Sequence, residues 1–132
     1  MSTFTHKRRV YYHDTDCGGV VYYANYLKFF EEARTEHLRS KGIDLNKLAD
    51  NSGILFAVVS AEVDYKSPAR YGEEIDVLSK IIKINPASIL FYNEALRDGK
   101  ALVKCKTKLV SIDLKFKPVA IPQETSNLLG KL

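Results

Sequence analysis

Asp14 and Asp16, spaced i, i+2, stand directly before Cys17-Gly18-Gly19 and then Tyr22-Tyr23-Ala24-Asn25-Tyr26, where an aromatic-rich helical repeat begins. A helix start leaves backbone N–H groups unpaired, and such groups can hold a developing negative charge. Glycines between the acids and the helix let another molecule approach the main chain closely. A carboxylate beside an oxyanion-binding backbone is a hydrolytic pairing, the acid acting as base or nucleophile and the amide polarising a carbonyl. The competing reading is turn chemistry, since Asp side chains cap local N–H groups. It is the weaker one for Asp16, which is followed by a glycine pair and a helix rather than by a hairpin partner.

Other chemistries fit less well. Asp14-Thr15-Asp16 after apolar residues superficially resembles the nucleophile motif of haloacid-dehalogenase-like phosphatases, but that fold is a parallel, doubly wound sheet fed by repeated βα units. Cys17 with His13 as its base would need a depressed thiol pKa and an oriented imidazole, so an incidental thiol is expected. His6, His13 and His37 have no ligand-like spacing with the cysteines, and no phosphate-cradling glycine loop or serine elbow is present. A reaction without metal or organic cofactor follows as the expectation. Glu31 and Arg34, at i, i+3, read as an ion pair within one helix.

The elements that would position these groups follow from pattern. Tyr22, Tyr26, Phe29, Phe30, Ala33 and His37 form one apolar stripe from about Tyr22 to Lys41, and Gly42 stops it. Asp44–Asp50 predicts a short helical turn. Strands are predicted over 7–13, 57–65, 73–84, 87–97 and 101–109, with Ala57, Val59, Ala61, Val63 and Tyr65 on one face of the second. Turn signals at Ser67-Pro68-Ala69-Arg70-Tyr71-Gly72, Asn85-Pro86 and Asp98-Gly99 imply hairpin-linked neighbours, and a helical tail is expected from about Gln123. The class is α+β, an antiparallel sheet curling around one long helix, with its convex face and edges free for self-association.

Composition sets the frame. The 132 residues suit one domain spanning 1–132, and 45% apolar with 27% charged residues is ordinary for a soluble globular protein. No apolar run approaches the ~18 residues of a membrane span, and the N-terminus lacks an apolar signal segment, so the cytoplasm and free thiols at Cys17 and Cys105 are expected. A net charge of +4 suits an anionic partner without demanding nucleic acid, and Lys104, Lys106 and Lys108 alternate as a solvated face.

A family resemblance rests on specific residues. Val10-Tyr11-Tyr12-x-Asp14-Thr15-Asp16-x-Gly18-Gly19-Val20-Val21-Tyr22-x-Ala24-Asn25-Tyr26, then Phe30-Glu31-x-Ala33-Arg34-Thr35-Glu36, is similar to the signature of the YbgC-type acyl-CoA thioesterases, relatives of 4-hydroxybenzoyl-CoA thioesterase. Ser67–Gly72 and Pro118-Val119-Ala120-Ile121-Pro122 extend the likeness. The resemblance implies a hotdog fold, a long central helix wrapped by a five-stranded antiparallel sheet, in dimers with sites between subunits that pair into a homotetramer. It implies Asp16 as general base or nucleophile, the Tyr23 N–H as the donor to the thioester carbonyl, and Gly18, Gly19, Tyr22 and Tyr26 around the substrate. Lys115 and Lys117, with Lys83, become candidates for the CoA phosphates. Two departures matter: Tyr23 replaces a frequent His, whose acid role a phenol of ordinary pKa near ~10 does not inherit, and His13 stands where relatives often have Glu. The implied substrate is an acyl-CoA. The alternative is a non-catalytic module binding acyl-CoA or acyl carrier protein.

Overall fold

The computed structural model describes residues 2–131. Its elements in chain order are β1 (Thr3–Arg9), α1 (Asn25–Ser40), α2 (Leu45–Ser52), β2 (Leu55–Tyr65), β3 (Glu74–Ile84), β4 (Ser88–Arg97), β5 (Lys100–Ile112) and α3 (Gln123–Leu129). The strands form one antiparallel sheet in the order β1-β3-β4-β5-β2. This is the hotdog arrangement, with α1 of 16 residues as the long helix. An all-antiparallel sheet also removes the phosphatase reading, which required parallel strands.

The long helix is amphipathic for the reason its spacing gave. Tyr26, Phe29, Phe30, Ala33, His37 and Leu38 are buried against the sheet, and each buried Phe contributes about 2 kcal/mol from apolar burial. Ile75, Val77, Ala95 and Val103 complete the cluster at the start of α1, while Ile81, Ile89, Phe91 and Leu109 form a second cluster toward its end. His37 lies between them, with Nδ1 2.9 Å from Ser79 Oγ and Nε2 3.0 Å from Ser2 Oγ. The hairpin at Asp98-Gly99 has left-handed φ values of 52° and 77° and joins β4 to β5 at Arg97–Lys100. Both φ signs fit the tight turn predicted from the Asp-Gly pair.

Four expectations are corrected. Strand β1 runs over Thr3–Arg9 rather than 7–13, and Tyr12–Asp14 is a single 3-10 turn. The helix starts at Asn25, so Tyr22 is exposed and the apolar stripe begins at Tyr26. β2 and β3 do not form a hairpin: β2 pairs with β5 at the opposite edge, and residues 66–73 cross one end of the sheet. A bulge at Val59 breaks the alternation of β2, so Phe56 packs toward the core and Val59 is exposed. Among the described residues no helix is long and apolar enough to cross a membrane.

Candidate functional site

The chain from Asp14 to Tyr22 doubles back on itself. Asp16 N–H donates to Val20 O at 2.9 Å, Thr15 and Val21 bridge, and Tyr22 N–H donates to Asp14 O at 3.0 Å. Asp16 therefore does have a hairpin partner, contrary to the sequence expectation. Gly19 at the tip takes φ 79°, a value an L side chain rarely adopts. Gly18 meets a different demand: its N–H donates to Asp16 Oδ1 at 2.8 Å, and a Cβ there would stand 3.2 Å from that same oxygen.

The two acids separate by environment. Asp14 is buried and held by Arg8 at 2.5 and 3.3 Å, by Tyr11 N–H at 2.8 Å, and by His13 Nε2 at 3.3 Å. Burial alone would push its carboxyl up, but the Arg8 hydrogen bonds and the Tyr11 N–H outweigh it and hold the group below the ordinary carboxylate range. Arg8 also pairs with Glu32 at 3.0 Å and lies over the Phe29 ring at 4.4 Å. Asn25 Nδ2 donates to Asp14 O at 2.8 Å. Asp14 thus fastens the loop to the first turns of α1. Asp16, by contrast, is exposed, and Oδ2 has no partner among the described residues. His13 is turned to Asp14, not set as a base for the exposed Cys17.

Residues 66–73, read from sequence as a turn, form the support for this loop. Val21 N–H donates to Ala69 O at 2.9 Å, Val20 bridges Arg70, and Tyr71 N–H donates to Gly19 O at 3.3 Å. Ala69 N–H donates to Tyr26 Oη at 2.9 Å, so Tyr26, almost fully buried, joins the helix to the crossover. Tyr65 Oη donates to Tyr23 O at 3.0 Å. Tyr23 itself is 61% exposed, and its N–H has no acceptor among the described residues. Beside it lies a hollow of about 250 Å³ lined by Val21, Tyr23, Tyr26, Tyr65, Lys66 and Pro68 with Ser67. Asp16 is not among its walls, and Tyr22 packs against the Tyr23 ring with centroids 4.9 Å apart.

Asp16, Gly18, Gly19, Tyr22, Tyr23 and Tyr26 therefore gather at one end of the sheet. Lys83, Lys115 and Lys117 do not. Lys83 is on the last part of β3, and Lys115 and Lys117 sit in the exposed turn after β5, whose N–H groups donate to Asp113 Oδ1 at 2.8 and 3.0 Å. From the rise of an extended chain, the 13 residues of β5 span ~40 Å, so that end is remote within one chain. Sequence reasoning missed Arg8, Asn25, Tyr65 and Ala69, all of which act through contacts distant in sequence. The charge of Arg8 and the β-rich run carrying it were the only local signals.

Comparison with known proteins agrees with the fold. The family model described as Thioesterase-like superfamily matches residues 10–129. The chain is similar to the acyl-CoA thioesterase YbgC of Haemophilus influenzae, 40% identical and covering 92% of this chain and 90% of that one. The acyl-CoA thioester hydrolase YbgC of Escherichia coli O6:H1 is 36% identical, covering 87% of each. Among solved structures, a 1,4-dihydroxy-2-naphthoyl-CoA thioesterase from Synechocystis superposes with TM-score 0.91 at 28% identity, covering 99% of this chain and 98% of that one.

Proposed function

The chain belongs to the thioesterase-like superfamily and is a thioester hydrolase, and from that premise we propose that it cleaves an acyl-CoA to free acid and CoA, with Asp16 and the Tyr23 N–H as its chemical groups. One observation carries this reading. At the junction of loop and helix, a carboxylate oxygen and a backbone donor are both left without partners among the described residues, on a loop held in shape by the Asp16 N–H to Val20 O and Tyr22 N–H to Asp14 O hydrogen bonds. The Tyr23 N–H receives the thioester carbonyl oxygen and stabilises the charge that develops there.

Two routes use the same groups. As general base, Asp16 takes a proton from water while the water oxygen attacks the acyl carbon; the tetrahedral oxyanion collapses, the C–S bond breaks, and the CoA thiolate takes up that proton. As nucleophile, Asp16 Oδ2 bonds to the acyl carbon and expels the thiolate, and water then cleaves the acyl anhydride to restore the carboxylate. Gly18 N–H holds Oδ1 in either case, leaving Oδ2 as the reacting atom. An acyl-Asp16 species caught by rapid quenching belongs only to the second route.

The lysines enter through assembly. β2 is an edge strand of 11 residues with Leu55, Val58, Val59 and Tyr65 exposed, and such an edge invites pairing with a second copy. Antiparallel pairing of two β2 strands sets the Tyr65 end of one beside the Leu55 end of the other. Leu55 pairs with Ile112, immediately before the turn that carries Lys115 and Lys117. A dimer of this kind brings that turn of the partner to the Tyr23 end, where ammonium groups meet CoA phosphates; Lys83 lies at the end of the sheet that carries this turn and comes with it. Two such dimers form the homotetramer that the family likeness suggests.

A panel of short aliphatic, aromatic and longer acyl-CoAs, followed by release of free thiol, tests the function. Turnover of at least one class without added metal is the expected result. Tight binding of acyl-CoAs with no thiol released from any of them would instead make the chain a binding module.

A further inference from the structure

Arg34 departs from its sequence expectation. It is 8% exposed and makes no ion pair or hydrogen bond among the described residues, Glu31 included, whose Oε2 accepts from Thr35 Oγ1 at 3.2 Å. Burial is the main influence on the guanidinium and draws its pKa below the ordinary value, against smaller opposing effects of Cys105 and Glu31. A buried, unpaired guanidinium is costly unless something supplies an acceptor.

Its surroundings indicate what does. Arg34 and Glu31 line a groove of about 300 Å³ between α1 and the β2–β5 edge, together with Leu27, Lys28, Val58 and Ala61. Leu27 and Val58 are themselves exposed, at 41% and 53%. The groove lies near the middle of both α1 (Asn25–Ser40) and β2 (Leu55–Tyr65). A two-fold axis that pairs β2 with its copy passes through the middle of that strand, so it passes beside this groove and sets the two α1 helices antiparallel. Residues one helical turn apart then exchange places across the axis. We propose that Arg34 is neutralised by Glu31 of the partner subunit, and Glu31 by the partner's Arg34, a reciprocal pair that locks the α1/β2 faces of two copies together. This rests on the β2 assembly described above; charge complementarity and the apolar rim select a second copy as the occupant.

Complementation of opposite charge changes tests it. With Lys28 also lining the groove, Glu31→Arg leaves three cations and no anion there, and Arg34→Glu leaves two anions against one cation, so each variant alone repels its own copy. Mixed, the two chains satisfy both pairs across the interface and neither pair within a chain. Sedimentation of the wild type gives a dimer or a multiple of it. Each single variant, folded by circular dichroism, should associate ~10²-fold or more weakly, and the equimolar mixture should recover assembly and thiol release. Should Arg34→Glu fail to fold alone, Arg34→Gln takes its place and must weaken association. Wild-type assembly by any of these variants, or two folded variants that do not complement, overturns the pair. So does unchanged assembly accompanied by selective loss of activity on acyl-CoAs that end in a carboxylate, which would assign Arg34 to the substrate. A wild type that sediments as a single chain would instead refute the β2 assembly itself.

Discussion

At the residue scale, Asp14 and Asp16 show how two identical side chains two positions apart take unlike roles. Asp14 satisfies its acceptors inside the protein, with Arg8 and the Tyr11 N–H, whereas Asp16 spends one oxygen on Gly18 N–H and keeps the other. Asp14→Asn should therefore act through stability, costing about 1–3 kcal/mol in chemical denaturation because it removes a charge-assisted hydrogen bond and leaves the largely buried Arg8 with Glu32 as its one anionic partner. Gly18→Ala leaves the backbone fold feasible but places a methyl 3.2 Å from Asp16 Oδ1, so the carboxylate must move; kcat should fall about tenfold or more with little change in melting temperature. Tyr23→Phe keeps the main-chain donor, and kcat should stay within about threefold of the wild type. A large loss there would assign the phenol, not the amide, to the reaction.

At the element scale, α1 carries most of what sequence could show. Its aromatic spacing fixed Tyr26, Phe29 and Phe30 in the core, and Gly42 marked its end, because a period of 3.6 residues is a local property. The start was misplaced by three residues since Tyr22 fits the stripe in sequence but lies in the loop hydrogen-bonded to Asp14. The bulge at Val59 and the crossover of β2 to the far edge were illegible for a related reason: both depend on pairing with β5, between 38 residues away at Tyr65–Val103 and 57 at Leu55–Ile112. The motif around Asp16 was readable as a candidate site, but its support by Arg8, Ala69 and Tyr65 was not. The same helix contributes a pH dependence. Burial first, and the Lys41 charge second, lower the His37 pKa from 6.5 to about 4. The unfolded chain then binds more protons than the fold as pH drops below 6.5, so this stability is present at neutral pH and lost progressively from 6.5 down through about 4, amounting to about 3 kcal/mol. Denaturation curves from pH 7 to pH 4 should show that slope, and His37→Gln should flatten it.

At the scale of the whole molecule, the sheet separates Asp16 and Tyr23 from Lys83, Lys115 and Lys117, and the proposed β2 assembly would bring the two sets together across subunits. Dissociation should therefore weaken substrate binding along with assembly, visible as specific activity that falls on dilution through the dimer constant. The chemical claim beneath this arrangement is tested most directly by Asp16→Asn, a change that keeps side-chain size and the acceptor for Gly18 N–H. The variant should retain the sedimentation mass and melting temperature of the wild type while acyl-CoA turnover, followed as free thiol, falls by ~10²-fold or more. Undiminished turnover in that folded variant would contradict the assignment of Asp16 as the hydrolytic group.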